Sequence, residues 1–244
     1  MESTDCKQCP LRQCGSFIPN SDHEIDFVRS IKRADKHFDT GATIVRERST
    51  SSPFYSVLEG WAFRYRTLSD GRRQILNFLF PGDLIGLQEQ LGAESPHGVE
   101  ALTPMRLCQF KKEDLWQIYR EMPSVAYDIT WFAAHEEMIV DENLLSVGQR
   151  TARERIALLL VSIFRRMQQL NAVSQDNSCP FHINQQHIAD AMGLSLVHTN
   201  KTLRVLVREG LCKIHDHRLQ ILDVGALAVT ADYSALPARH RPLL

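Results

Sequence analysis

Three cysteines crowd one short run, Cys6-Lys7-Gln8-Cys9-Pro10-Leu11-Arg12-Gln13-Cys14, and a fourth, Cys108, lies far downstream. Thiolates this close in sequence are able to share one metal centre. Cys108 is the candidate fourth ligand, because it falls at the end of a strand-rich region. Four-thiolate sites hold zinc or an iron–sulfur cluster, and spacing does not choose between them. Read without a metal, Cys108 is a buried core thiol. Cys179 and Cys212 stand singly and read as structural.

A second constellation, near the other end, suits nucleic-acid reading. Asn184 is placed to cap a helix through Gln185 to Met192, and Gly193 ends it. Ser195 caps a second helix reaching about Glu209, which Gly210 ends. Ala189 followed four residues later by Gly193 is helix-turn-helix spacing: the small residue lets two helices approach and glycine permits the tight turn. On the second helix Leu196, Thr199, Leu203 and Leu206 are expected to face inward. Val197, His198, Asn200, Lys201, Arg204 and Arg208 are expected to face DNA, where Asn bonds adenine and Lys or Arg reaches guanine or phosphate. The plain alternative is a solvated helix face. The hairpin behind it, Lys213-Ile214 followed by Leu219-Gln220-Ile221-Leu222, favours a winged DNA-binding element.

No paired carboxylates, nucleophile–base set or glycine-rich phosphate loop supports an enzyme. His23, His37, His97 and His135 are scattered and read as surface or structural; His215 and His217 fall in a wing turn.

The elements that must position these groups follow from pattern. At 244 residues, 43% hydrophobic and 23% charged, the chain has the composition of a folded protein with one large or two modest domains. The net charge of −1 leaves no bulk electrostatic grip on nucleic acid, so positive charge must be local. No apolar run is long enough to cross a membrane and the first residues lack the basic-then-apolar pattern of a signal peptide, so a cytoplasmic location with reduced thiols is expected. Residues 1–20 form a cysteine-rich segment with too little apolar surface to fold alone. Residues 21–120 form a sensor domain, β from about Ile25 to Phe110, with an Asp70-Gly71 hairpin: an antiparallel barrel or roll. Residues 121–148 form a long helix opened by Pro123. Ile129, Phe132 and Ile139, in line with Val125, are expected at a dimer interface; Trp131, Met138 and Leu145 lie on the other side. Two apolar sides imply two packing partners, the roll and a second subunit. Residues 149–232 form the DNA-binding domain, opened by a capping box at Thr151–Glu154 and including a polar linker, Asn171 to Pro180. Residues 233–244 are expected to be a loose tail. The fold class is therefore α+β: roll, long helix, winged helix-turn-helix.

Taken together, the chain resembles the CRP/FNR superfamily of transcription regulators, most closely its oxygen-sensing FNR branch. The resemblance rests on Phe80-Pro81-Gly82-Asp83-Leu84-Ile85-Gly86 in the roll, Thr151-Ala152-Arg153-Glu154-Arg155-Ile156 after the long helix, and Asp190-Ala191-Met192-Gly193-Leu194-Ser195 before the recognition helix. It implies a [4Fe-4S] cluster on Cys6, Cys9, Cys14 and Cys108, dimerisation along the long helix, a palindromic double-stranded operator and loss of the cluster with oxygen. It also implies activation of genes for low-oxygen life, and contact with RNA polymerase through a roll loop near Asp70-Gly71-Arg72. Zinc, a thiol redox switch or no cofactor is the alternative. Two features depart from the branch. Four residues, not five, separate Cys9 from Cys14. Val197-x2-Asn200-Lys201 replaces Glu-x2-Ser-Arg, so a different half-site is expected. Cyclic nucleotide binding is not expected: the turn is Gly82-Asp83-Leu84, and Gln88 to Gly98 contains no arginine.

Overall fold

The computed structural model describes residues 4–50, 53–88, 94–233 and 240–244. The chain divides into two compact units, residues up to 139 together with 240–244, and residues from 140 to 239.

The first unit begins with two short 3₁₀ turns, Cys6–Gln8 and Pro10–Gln13, and helix α1, Asp22–Ile31. Helix α1 corrects the expectation of β structure from Ile25. It opens on a reciprocal capping box: Glu24 N–H donates to Ser21 Oγ at 3.3 Å and Ser21 N–H to Glu24 Oε2 at 2.7 Å. Val28 and Ile31, three apart, are buried beneath it.

Two antiparallel four-stranded sheets make the expected roll. One runs β1 (Asp35–Phe38), β8 (Met105–Phe110), β3 (Phe54–Glu59), β6 (Leu84–Ile85). The other runs β2 (Thr43–Val45), β7 (Gly98–Ala101), β4 (Ala62–Thr67), β5 (Arg73–Leu79). Strand β3 is buried from Phe54 to Leu58 without alternation, because both its faces are covered. Tyr55 and Val57 join the roll interior with Val99 and Leu107, while Phe54 joins a core built with the helices. The same period of two turns Cys108 away from Leu107, toward the helices. The hairpin at Asp70-Gly71 joins β4 to β5 as expected, with Gly71 at φ 86°.

Helix α2 (Lys112–Glu121) precedes the long helix α3 (Pro123–Gln149). Ile129 and Phe132, expected at a dimer interface, lie instead in the chain's own core with Val125, Phe54 and Phe110; burial there leaves nothing of them for a partner. Ile139 is half-buried. The apolar residues α3 exposes are Tyr127, Met138, Val140, Leu144, Leu145 and Val147.

Residues 240–244 correct the expectation of a loose tail, since Arg241, Leu243 and Leu244 are buried in the first unit. Residues 234–239 of that tail, and 89–93 of the arginine-free stretch, lie outside the described residues.

The second unit carries α4 (Ala152–Gln169), α5 (Gln185–Met192), α6 (Leu196–Arg208) and α7 (Val224–Thr230). Its sheet has the order β10 (Cys212–His215), β11 (Arg218–Ile221), β9 (Ser178–Pro180). Strand β9 lies within the segment expected as a polar linker, and pairing Leu219 with Cys179 buries that thiol completely. The β10–β11 turn is Asp216-His217, both at positive φ, as a two-residue hairpin requires.

Candidate functional site

Helix α6 is placed by local signals that the sequence carries openly. Asn184 and Ser195 accept the backbone N–H groups of His187 and His198 at 2.9 and 3.2 Å. Gly193 ends α5 in the left-handed region at φ 64°, where a side chain would be strained. Arg155 fixes the turn from behind: its Nη1 donates to Met192 O at 3.0 Å and its Nε to Arg150 O at 2.8 Å. Arg153 holds the far end of α6, with Nη2 at 2.7 Å from Glu209 Oε2. Neither role was legible in the sequence: Arg150 is only five residues from Arg155, but Met192 and Glu209 lie 37 and 56 positions from the arginines they bind.

The division of faces on α6 follows expectation with one correction. Thr199, Leu203 and Leu206 are buried, and Thr202 joins them. Leu196 is 42% exposed rather than inward, since it occupies the first position of the helix beyond the Ser195 cap. Val197, His198, Lys201, Arg204 and Arg208 are exposed, Val197 at 79%. Asn200 is half-buried and its Oδ1 is sheltered without a hydrogen-bond partner. An open groove runs beside this face, lined by Thr151, Arg153, Ser195, Val197, His198 and Lys201. Arg153, paired with Glu209, and Lys201 flank it. The arrangement presents three cations, Lys201, Arg204 and Arg208, and the Asn200 amide at helical steps, beside an open groove.

The cysteines form a separate site in the first unit. Cys6, Cys9 and Cys108 line one small cavity with Lys32, Phe110 and Leu244. Three remote stretches meet there: the first 3₁₀ turn, the end of α1 and strand β8. The turn is held by Arg12, whose Nε donates to Cys6 O at 3.0 Å. Lys32 is nearly buried against Asp35, 2.6 Å away, and donates to Thr4 O at 2.7 Å. Burial alone would lower the Lys32 pKa, but the Asp35 hydrogen bond and the nearby thiols raise it on balance. Burial pushes the Cys108 thiol up to about 12 and raises Cys6 as well, Lys32 opposing both. Cys14 does not line the cavity; it is half-buried beyond the Pro10–Gln13 turn. The donor types therefore suit a thiolate-held group, but the four are not gathered. Among the described residues no three His, Cys, Asp or Glu side chains are spaced to hold a metal ion.

Three further single groups stand apart from both sites. Cys179 and Cys212 are wholly buried, and burial pushes their thiols up to about 11. His97 is 3% exposed and held neutral, its pKa lowered to about 3 by burial and then by Arg64 and Arg66.

Comparison with known proteins covers parts of both units. Residues 35–122 match the cyclic nucleotide-binding domain and residues 154–229 the Crp-like helix-turn-helix domain. The nitrogen fixation regulation protein FixK of Bradyrhizobium diazoefficiens is 31% identical over 93% of this chain and 93% of its own length. The transcriptional activator protein FnrL of Cereibacter sphaeroides is 26% identical over 87% of this chain and 86% of its own. Among solved structures, FixK2 from Bradyrhizobium japonicum covers 84% of this chain and 99% of its own with a TM-score of 0.74, at 24% identity. Among the described residues no helix is long and apolar enough to cross a membrane. Roll, long helix and helix-turn-helix in this order, with full-length relatives that are transcription regulators, make this chain a member of the CRP/FNR family of transcription regulators.

Proposed function

We propose that this regulator binds a palindromic operator as a homodimer and reads oxygen or redox state through its cysteines. The observation that supports the sensing half is the convergence of Cys6, Cys9 and Cys108, from both ends of the roll sequence, on one cavity. Thiols that buried are poor nucleophiles while protonated, which argues against a free thiol switch at Cys6 or Cys108. Thiols waiting to be deprotonated by a bound metal centre behave in this way. A [4Fe-4S] cluster requires Cys14 to join the other three. When bound, such a cluster supplies oxygen-labile redox chemistry. The chain's own part is to close Phe110, Val28 and Leu244 around the thiols and to place Lys32 beside them, offsetting negative charge. Zinc is the second reading, since thiolates suit it as well as they suit a cluster.

On the DNA side, Lys201, Arg204 and Arg208 supply phosphate and base contacts, with Asn200 reading adenine once its oxygen and amide meet a base edge. Two copies paired along the exposed apolar side of α3, including Tyr127, Met138 and Leu145, would set two recognition helices roughly 34 Å apart, one helical turn of DNA. The hairpin tip Asp70-Gly71-Arg72 is exposed and braced by an Arg72–Asp70 ion pair of 2.8 Å, and is the proposed polymerase contact.

Anaerobic purification with a visible spectrum and with iron, sulfide and zinc assays tests the reading. Brown protein that bleaches in air, with iron and sulfide in equal amounts, is the expected result. Colourless protein with stoichiometric zinc establishes the second reading, and colourless protein without metal removes both.

A further inference from the structure

One buried ion pair in the first unit serves neither site. Arg241 reaches a cleft between the roll turn that carries Asp83 and the side of α3 that carries Trp131 and His135. Its Nη2 lies 2.5 Å from Asp83 Oδ1, and both side chains are about nine-tenths buried. Asp83 Oδ2 is already occupied by Phe80 N–H at 2.8 Å. The guanidinium carbon sits 5.4 Å from the Trp131 ring centre and 5.8 Å from that of Phe132, and Nη1 is 3.3 Å from His135 Nε2. The backbone is clamped too: Arg241 N–H donates to Ser16 O at 2.9 Å and Ile18 N–H to Arg241 O at 2.7 Å. Three residues on, Leu244 lines the cysteine cavity.

A buried carboxylate left without a cation is strongly unfavourable, so the cleft demands a positive group. Two aromatic faces and an imidazole nitrogen select a flat, multi-donor cation over a compact ammonium. We infer that this cleft is a guanidinium-binding site whose resident ligand is the chain's own residues 240–244, delivered in cis after the whole second unit. Arg241 is the recognised group, and Leu244 closes the thiol cavity.

The test uses the full chain with Trp116, the exposed tryptophan, replaced by phenylalanine, so that acrylamide quenching reports Trp131; Trp61 is buried. Arg241→Ala should raise quenching severalfold. N-ethylguanidinium at millimolar concentration should reverse this and raise the melting temperature, while ethylammonium should do neither. The unaltered cleft should not respond to N-ethylguanidinium, and Asp83→Asn combined with Arg241→Ala should lose the rescue. Unchanged quenching in Arg241→Ala, equal rescue by ethylammonium, or binding by the unaltered cleft each overturns the inference. Should Arg241→Ala not fold, Arg241→Lys keeps the charge but not the plane. It should raise quenching roughly twofold, and no rise would equally overturn the inference.

Discussion

The recognition helix and the thiol cavity are built in opposite ways. Every determinant of α6 lies within about sixty positions of it: the caps Asn184 and Ser195, the turn Gly193, the braces Arg153 and Arg155. Its functional side chains point outward and make few contacts within the chain. The thiol cavity is gathered from residues 4–12, the end of α1, strands β3 and β8, and Leu244, and its groups point inward. A site for a large external ligand needs only a rigid local platform. A site for a small enclosed group needs walls, and walls come from wherever the topology supplies them.

Substitutions sharpen or break this contrast. The largest effect is expected from Cys14→Ala. If the four-thiolate reading is right, iron and sulfide fall to background and the response to air disappears, while helix content by circular dichroism holds. Full iron in that variant would show that the three cavity thiols suffice. Next is Arg155→Ala, which removes charge-assisted bonds to two carbonyls and should cost about 1.5–3 kcal/mol of stability in urea unfolding of the second unit. Operator binding should fall with it, because the brace is shared by turn and recognition helix. Lys201→Ala should weaken operator binding by about 1–3 kcal/mol and flatten its salt dependence, measured by fluorescence anisotropy, at unchanged iron content. Coupled loss of iron would mean the two sites are not separate.

The smallest effect concerns the first unit alone. Burial and then neighbouring Glu24 push the Asp128 carboxyl up to about 6. The folded state thus holds this proton more tightly than the unfolded chain. The stabilisation is present below the ordinary carboxylate pKa and is lost as pH rises through about 6. Asp128→Asn should therefore raise the melting temperature near pH 7.5 and leave it unchanged near pH 4. An equal shift at both would refute the assignment.

Legibility in the sequence followed the same division. Helix ends, the Thr151–Glu154 capping box, the wing hairpin and the inward face of α6 were readable, because stop signals and periodicity act over one or two turns. Helix α1 was readable in principle: Ser21 and Glu24 are a capping box, but Ile25, Val28 and Ile31 are few enough to pass for strand residues. The buried side of α3 was misassigned because periodicity reports that a stripe is buried, not what covers it; Ile129 and Phe132 meet Phe54 and Phe110 of the same chain. Residues 240–244 were unreadable. The stretch 233–244, with two prolines and little apolar content, reads as loose, and the partner of Arg241, Asp83, is 158 positions away.

That last contact also sets an order of events during synthesis. The first unit is left at residue 139 and rejoined at 240, so its final pieces emerge only after the second unit has been made. At typical translation rates the intervening hundred residues take about 5–20 seconds. Throughout that interval Asp83 and the Trp131 face wait open, and the cysteine cavity lacks Leu244. The DNA-reading unit, whose contacts are local, is free to fold within the same interval. The nascent chain is thus able to complete its reading head before the thiol cavity is sealed.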